Sequence, residues 1–293
     1  MDDPFASGRT FLLTHARLLE RMLFEVRFGG APAECVGRAV RAYQNADGGL
    51  GHGLEPDFRC PDSQPLFAEV GLAALWEAGC RQAALALDLC RFLGAVAQAD
   101  GLLPPALDSA FAWPRAAHWR QPWPAGLNPT AALCGLLHYQ GVEHPWLDRA
   151  TQTCCRLLLG EPPAEAHALL CATRLADHLP DRELARRLAE GIAAALPHAR
   201  FFLPQAPVTE YGLTPLHFAP RPDSPWRALF TDSQIRGHLD DLLGRQQPDG
   251  GWPISWEPPG PAAALEWRGR GTLEALGVLT AYGRIPVPRD APA

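Results

Sequence analysis

Apolar residues recur at intervals of three and four along most of this 293-residue chain, the spacing of amphipathic helices. The pattern predicts ten helices, and Gly or Pro marks many of their ends. They span residues 10–27, 32–44, 65–77, 81–97, 129–139, 146–159, 163–178, 181–196, 232–245 and 271–282. Asp181 is the expected N-cap of the eighth. No run of β-branched residues alternates apolar with polar positions, so the chain is predicted to be all-α.

A hexapeptide occurs twice: Gln44–Gly49 and Gln246–Gly251 share their Gln, Asp and paired Gly. Each copy closes a predicted helix and opens a loop rich in aromatic and acidic residues, and a helix of small residues follows the loop. Helix pairs repeated in this way bury their apolar faces against neighbouring pairs, as an open solenoid or a closed ring. The long loops fall between pairs, so we expect them to gather at one end, at the mouth of a cavity.

The segment Gln246–Trp252 and its degenerate copy Gln44–Leu50 resemble the Gln-Trp repeat of squalene cyclases and protein prenyltransferase β subunits. The resemblance implies an (α/α) toroid, a barrel of about five to six helical hairpins with inner and outer rings. It implies structural roles for the Gln and for Trp252. We expect one toroid domain over residues 1–285 and a tail over residues 286–293.

The chemistry of these families carries over only in part. Class II terpene cyclases protonate an alkene with an Asp-x-Asp-Asp motif, which this sequence lacks. Protein prenyltransferases hold zinc through Asp, Cys and His. Asp57 and Cys60 provide two of these types at a different spacing and with no assigned His. We therefore expect no metal ligands and no cofactor, with zinc and magnesium left open.

Composition narrows the function classes. The chain is 47% hydrophobic, which is enough for a large core, and its formal net charge is -6. All 26 basic residues are Arg and they are scattered, which disfavours nucleic-acid binding. No segment approaches the ~20 apolar residues that span a bilayer, and the first residues do not resemble a signal peptide. We expect a cytoplasmic protein without a transmembrane segment, and its oligomeric state stays open.

One loop concentrates acidic residues and an imidazole. It contains His52, Glu55, Asp57 and Asp62, shortly after the glycines of the first hexapeptide. We interpret these four residues as candidate catalytic groups, in which burial raises the pKa of one acid so that it donates a proton while another stays ionised. The alternative is local structure, with Asp62 or Ser63 capping the next helix.

Tryptophans flank acidic residues in two other loops. Trp113, Trp119 and Trp123 flank Asp108 and His118 in one of them. Aromatic faces stabilise a cation, bind apolar chains or stack on sugars. In the other loop, Trp256 and Trp267 accompany two glutamates. The predicted substrate-binding residues are Trp113, Trp119, Tyr211, Trp256, Glu257, Glu266 and Trp267.

Three functions follow as hypotheses. The first is a prenyltransferase-like or squalene-cyclase-like enzyme that binds or transforms an isoprenoid or other apolar small molecule by acid catalysis. The second is a carbohydrate-active (α/α) barrel with paired carboxylates, such as Asp57 with Glu257 or Glu266. The third is a non-catalytic toroid that binds a ligand or a protein. The repeat favours the first.

Overall fold

The computed structural model describes residues 3–287, so most of the predicted tail, residues 288–293, lies outside the described residues. Within residues 3–287 the chain is all-helical, with isolated bridges but no β-strand, which confirms the predicted class. The helices are α1 Pro4–His15, α2 Leu18–Phe28, α3 Glu34–Arg41, α4 Pro65–Glu77, α5 Ala83–Val96, α6 Leu127–Gln140, α7 Pro145–Gly160, α8 Ala166–His178, α9 Arg182–Ala195, α10 Pro215–Phe218, α11 Asp232–Gly244 and α12 Pro261–Ala281. Across the described part of the chain, no helix has the length and apolar character needed to cross a membrane.

The chain divides into two compact units. The first unit comprises the described part of Met1–Ala39 and Leu203–Ala293, and the second unit is Val40–Phe202. The single domain over residues 1–285 stays a prediction.

Three helical hairpins make up most of the second unit: α4–α5, α6–α7 and α8–α9. Helix α6 packs against both α4 and α8, and α7 packs against both α5 and α9. The first helices of the hairpins therefore form one row and the second helices form another, as expected of repeated helix pairs.

Glycine allows close packing in the first of these rows. A Cβ added at Gly135 on α6 would lie 2.1 Å from the carbonyl oxygen of Arg174 on α8. One added at Gly71 on α4 would lie 2.3 Å from a methyl group of Leu50. The small residues of the sequence thus fix how closely α6 and α8 approach each other.

In the first unit, the C-terminal helix α12 packs against α1, α2 and α11, and α10 packs against α11. A Cβ added at Gly8 on α1 would lie 3.1 Å from the Leu276 side chain, and one added at Gly269 on α12 would lie 2.8 Å from the Cβ of Ala16. The first and last helices of the described chain, α1 and α12, therefore pack directly against each other.

Two predicted helices differ from the observed ones. The helix predicted over residues 10–27 is two helices, because Ala16 and Arg17 adopt extended backbone between α1 and α2. Arg17 pairs with the buried Glu20 at this break, while the apolar spacing continues through it. The helix predicted from Gly271 begins ten residues earlier at Pro261, a residue well suited to the first helical position. The boundaries of α4 are those predicted, and the Asp181 side chain caps α9 as expected.

The first hexapeptide forms a tight turn closed by its own groups. The Asn45 amide donates to the Gly49 carbonyl over 3.0 Å, and the Gly48 amide donates to the Asn45 carbonyl over 3.0 Å. The Gly49 amide donates to Oδ1 of Asp47 over 2.9 Å, and Nε2 of Gln44 donates to the Gly48 carbonyl over 3.5 Å. Gly48 has a φ of 85°, in the left-handed region that favours glycine.

The second hexapeptide repeats this turn. Gln247 donates to Gly251 over 2.9 Å and Gly250 donates to Gln247 over 2.8 Å, both through the backbone. The Gly251 amide donates to Oδ1 of Asp249 over 3.1 Å, and Nε2 of Gln246 donates to the Gly250 carbonyl over 2.9 Å. The φ of Gly250 is 89°. The sequence repeat therefore encodes a repeated conformation, and its Gln has a structural role.

Each turn also contacts a helix other than the one that it ends: the first turn contacts α5 and the second contacts α1. Nε2 of Gln44 donates to the Asp88 side chain on α5 over 3.2 Å. Nε2 of Gln246 donates to the Pro4 carbonyl on α1 over 2.9 Å. The first turn thus docks on α5 within the second unit, and the second turn docks on α1 within the first unit.

Gly250→Ala is expected to destabilise the protein. The substitution places a Cβ on a residue with a positive φ, which strains its backbone. The new Cβ would also lie only 2.2 Å from the Ser7 carbonyl oxygen, so the backbone of one of the two segments must move. We expect the free energy of unfolding in urea to fall by about 2 kcal/mol or more. Gly244→Ala is the matched control, because the end of α11 has open space at this position. Equal losses in the two variants would contradict this role of the turn.

Candidate functional site

The loop that carries the predicted catalytic residues is tied at its far end to the first repeat turn. Nδ2 of Asn45 donates to the Pro61 carbonyl and to Oγ of Ser63, each over 3.0 Å. Oγ of Ser63 donates in turn to Oδ1 of Asp47 over 2.7 Å. The loop of residues 51–62 therefore leaves the turn and returns to it.

A second loop pairs with the first through backbone hydrogen bonds. The Ala116 amide donates to the Asp57 carbonyl over 2.9 Å, and the Arg59 amide donates to the Pro114 carbonyl over 2.9 Å. Phe58 and Arg115 form an isolated antiparallel bridge between them. The predicted catalytic loop and one of the tryptophan-rich loops are thus brought together within the second unit.

Asp57 and His118 form the centre of this candidate site. Nε2 of His118 lies 2.9 Å from Oδ2 of Asp57. The Asp57 side chain is only 5% exposed, whereas that of His118 is 44% exposed. Oε2 of the buried Glu55 accepts a hydrogen bond from the Asp57 amide over 3.0 Å. A buried carboxylate therefore orients an imidazole that remains open to solvent.

The imidazole has the geometry of a proton carrier. Among residues 3–287, no group hydrogen-bonds to Nδ1 of His118, while Nε2 is held by Asp57. A carboxylate on one ring nitrogen fixes the orientation of the ring and leaves the other nitrogen to exchange a proton with a bound molecule. From the sequence, His118 is only a neighbour of the tryptophans in its loop, and its pairing with Asp57 is not predicted.

Aromatic side chains surround the pair. The Trp119 ring centroid lies 5.0 Å from that of Phe58, 5.0 Å from that of Trp123 and 5.7 Å from that of His118. Trp113 and Trp123 are each 42% exposed, while Trp119 is buried. Nε1 of Trp119 is buried without a hydrogen-bond partner among the described residues. The site thus has apolar walls and one unsatisfied donor.

The other two predicted catalytic residues are exposed, whereas Glu55 and Asp57 are buried. His52 and Asp62 are exposed, and His52 adopts a positive φ of 58°. The alternative interpretation of Asp62 or Ser63 as a helix cap was wrong. The N-cap position of α4 is Gln64, which makes no capping bond, because its side chain accepts from the Leu107 amide over 2.7 Å.

Three predicted substrate-binding residues form an aromatic cluster in the first unit. The ring centroids of Tyr211 and Trp256 lie 5.9 Å apart, and those of Trp256 and Trp267 lie 5.0 Å apart, both pairs edge to face. Glu266 and Trp267 lie on α12 and not in the preceding loop, because that helix begins at Pro261. Glu257 is exposed in the loop itself.

Trp252, in contrast, has the structural role that the repeat implies. Its side chain is buried, and Nε1 donates to the Leu242 carbonyl at the end of α11 over 2.7 Å. Its amide donates to Oγ1 of Thr272 on α12 over 3.0 Å. Trp252 therefore joins two helices of the first unit.

The Cys60 thiol is packed away from solvent. It is buried, and Nε2 of Gln64 donates to its sulfur over 3.6 Å. Burial raises the pKa of the thiol. Within residues 3–287, no group of three or more His, Cys, Asp and Glu side chains is arranged to hold a metal ion.

No protein-family model matches the chain, and no curated protein matches it.

Arg115→Ala is expected to loosen the tryptophan-rich loop. Its guanidinium donates to the carbonyls of Trp119, Phe111 and Trp113 over 3.0, 2.8 and 3.2 Å. Loss of these charged hydrogen bonds, each worth about 1.5–3 kcal/mol, should raise amide hydrogen exchange in residues 113–119 about tenfold or more. Arg120→Ala, which removes an exposed neighbour, is the control. Unchanged exchange in Arg115→Ala would show that the loop is held by other contacts.

Proposed function

We propose that the chain is an (α/α) toroid of the type found in squalene cyclases and protein prenyltransferase β subunits. Two observations support the proposal. The hairpins of the second unit form two rows, and the repeated hexapeptides adopt one turn that docks on a neighbouring helix. Both are expected of stacked helix pairs joined by a structural repeat.

The two turns make equivalent contacts within their own units. The first docks on α5 and the second docks on α1, as expected of copies of one structural repeat. Helix α12 packs against α1 within the first unit, and α10 packs against α11.

The proposed activity is acid–base chemistry on an isoprenoid or another apolar small molecule. One observation carries it: a buried carboxylate holds a half-exposed imidazole among tryptophan rings. In this proposal His118 exchanges a proton with the substrate through Nδ1, and Asp57 is the positioning residue that holds the ring. The faces of Trp119 and Trp123 contact the apolar body and stabilise positive charge that develops on it.

The remaining predicted residues have supporting parts in this proposal. Glu55 holds the Asp57 amide and so fixes the carboxylate. Tyr211, Trp256 and Trp267 offer a second aromatic surface for an apolar chain, in the first unit.

Carbohydrate hydrolysis is the second candidate function. The exposed indoles of Trp113 and Trp123 suit stacking on sugar rings. A hydrolase with paired carboxylates needs two acids facing each other across the scissile bond. The Asp57 carboxylate instead lies 2.9 Å from an imidazole nitrogen of His118, which favours the first candidate over this one. Ligand binding without catalysis is the third.

The experiment compares ligands and variants of the full chain. Prenyl diphosphates, linear polyprenes and neutral oligosaccharides are tested for turnover and for thermal stabilisation. We expect isoprenoids to bind and react, and His118→Gln to lower turnover by about 10²–10⁴-fold while affinity changes little, because only proton transfer is lost. His198→Gln, at another exposed histidine, is the control.

Other outcomes separate the alternatives. Turnover of oligosaccharides alone would support the hydrolase. Binding of isoprenoids with no reaction, and with no effect of His118→Gln, would support the non-catalytic toroid. Absence of any isoprenoid binding would overturn the proposed substrate class.

A further inference from the structure

Helix α8 carries a stripe of polar residues on one face. His167, Cys171, Arg174 and His178 follow one another at intervals of four, three and four, which places them on the same side of the helix. Most of the other residues of α8 are apolar and buried. The stripe is therefore a local exception that requires a physical explanation.

Arg174 is stacked and not ion-paired. Its guanidinium carbon lies 4.0 Å from the centroid of the Trp76 ring on α4, a cation–π contact. Among residues 3–287, no hydrogen bond or ion pair holds its nitrogen atoms. Burial lowers the pKa of Arg174, opposed by the charges of Glu77, Asp177 and Glu69. The stacking on Trp76 thus fixes the plane of the guanidinium, and its N–H groups can still donate hydrogen bonds to a ligand.

Glu69 lies on the same face of α4 as Trp76, two turns earlier. Burial raises the pKa of Glu69 to about 7, and the nearby Arg174 opposes this effect. Within the described residues, no group hydrogen-bonds to its carboxyl oxygens. Both Glu69 and Arg174 nevertheless keep some accessible surface, so a small molecule can reach them.

A third unsatisfied group lies beside them. Nε2 of His178 is buried without a hydrogen-bond partner in the described part of the chain. Its ring lies 6.0 Å from that of Trp76 and 5.3 Å from that of Tyr139. Burial lowers the pKa of His178 to about 4, aided by Arg174, so the ring is neutral at physiological pH.

Tight packing of α6 places these groups close together. Gly135 on α6 contacts the backbone of Arg174, where a side chain would clash. Because α6 also packs against α4, its small residues draw the faces of α4 and α8 toward each other. A structural ion pair at this place would bring the Glu69 and Arg174 side chains into direct contact, and they are not in contact.

We propose that Arg174, Trp76 and Glu69 form a binding subsite for the carboxylate of a small organic acid. The planar guanidinium matches a carboxylate through two parallel hydrogen bonds. Protonated Glu69 adds an O–H donor. Arg174 provides one positive charge, and the charges of Glu77 and Asp177 already oppose it, so the subsite suits a monoanion and not the multiple charges of a phosphate or diphosphate.

Binding is expected to depend on the protonation of Glu69. On α8, Arg174 and Cys171 interact electrostatically with it, and Glu165 interacts with Cys171. The titratable residues of the helices packed against α4 do not shift its pKa: Cys134, His138 and Tyr139 on α6, and Asp88, Cys90 and Arg91 on α5. Since the ligand favours protonated Glu69, affinity falls as pH rises through about 7, by up to about tenfold per pH unit.

Isothermal titration of the full chain tests the subsite, with hexanoate as the probe and hexanol and hexyl phosphate as matched comparators. We expect hexanoate to bind more tightly than either comparator at about pH 6, where the probe is ionised. Affinity for hexanoate should fall strongly by about pH 8.5. Tighter binding of hexyl phosphate would overturn the assignment to a carboxylate, and equal binding of hexanol would overturn anion recognition.

Variants assign the effect to the named side chains. Arg174→Gln should weaken hexanoate binding about tenfold or more, and Arg174→Lys should weaken it less, because the charge remains without the planar fork. Glu69→Gln keeps an uncharged donor, so it should retain binding at about pH 6 and abolish the pH dependence. Arg156→Gln on the exposed side of α7 is the control.

Two results would refute the subsite: no hexanoate binding by the unmodified protein, or equal losses in Arg174→Gln and Arg156→Gln variants that circular dichroism shows to be folded. Persistence of the pH dependence in Glu69→Gln would refute the role of Glu69. The proposal does not rest on the isoprenoid activity, because His118→Gln is expected to leave hexanoate affinity unchanged.

Discussion

The hydrogen bond from a glutamine amide to the carbonyl of a left-handed glycine is the interaction on which the candidate site depends. It closes the turn of residues 44–49, and the absence of a Cβ at Gly48 lets that turn lie against α5. The loop carrying Asp57 leaves this turn and returns to it through Asn45. Because a loop anchored at both ends loses little further entropy when its side chains order, the buried carboxylate can be held in one position.

The helices and the turns could be predicted from the sequence because local rules determine them. Pro65 at the first helical position and the apolar run behind it define α4 without tertiary information. The break at Ala16 could not be predicted, since the apolar spacing continues through it and its close packing against Gly269 is a tertiary contact. The pairing of Asp57 with His118 was equally inaccessible, because it depends on backbone bonds between loops far apart in sequence.

The two sites of the second unit treat buried charge in opposite ways. Asp57 has a partner: Nε2 of His118 lies 2.9 Å from its carboxylate, so its burial is compatible with a stable fold. Glu69 and Arg174 interact electrostatically, yet among the described residues no direct hydrogen bond joins them. Buried charges usually persist only when paired, so an unpaired Arg174 guanidinium is costly for folding alone, which supports the proposed carboxylate subsite.

Buried polar atoms without a hydrogen-bond partner also mark these two sites. Among residues 3–287 such side-chain atoms are Nε1 of Trp119, Nε2 of His178 and Nε2 of His238. Two of these three lie in the second unit, one beside His118 and the other beside Arg174 and Trp76. Native proteins leave few buried polar atoms unpaired, so the presence of two of these three atoms at the candidate sites supports the two proposals made for those sites.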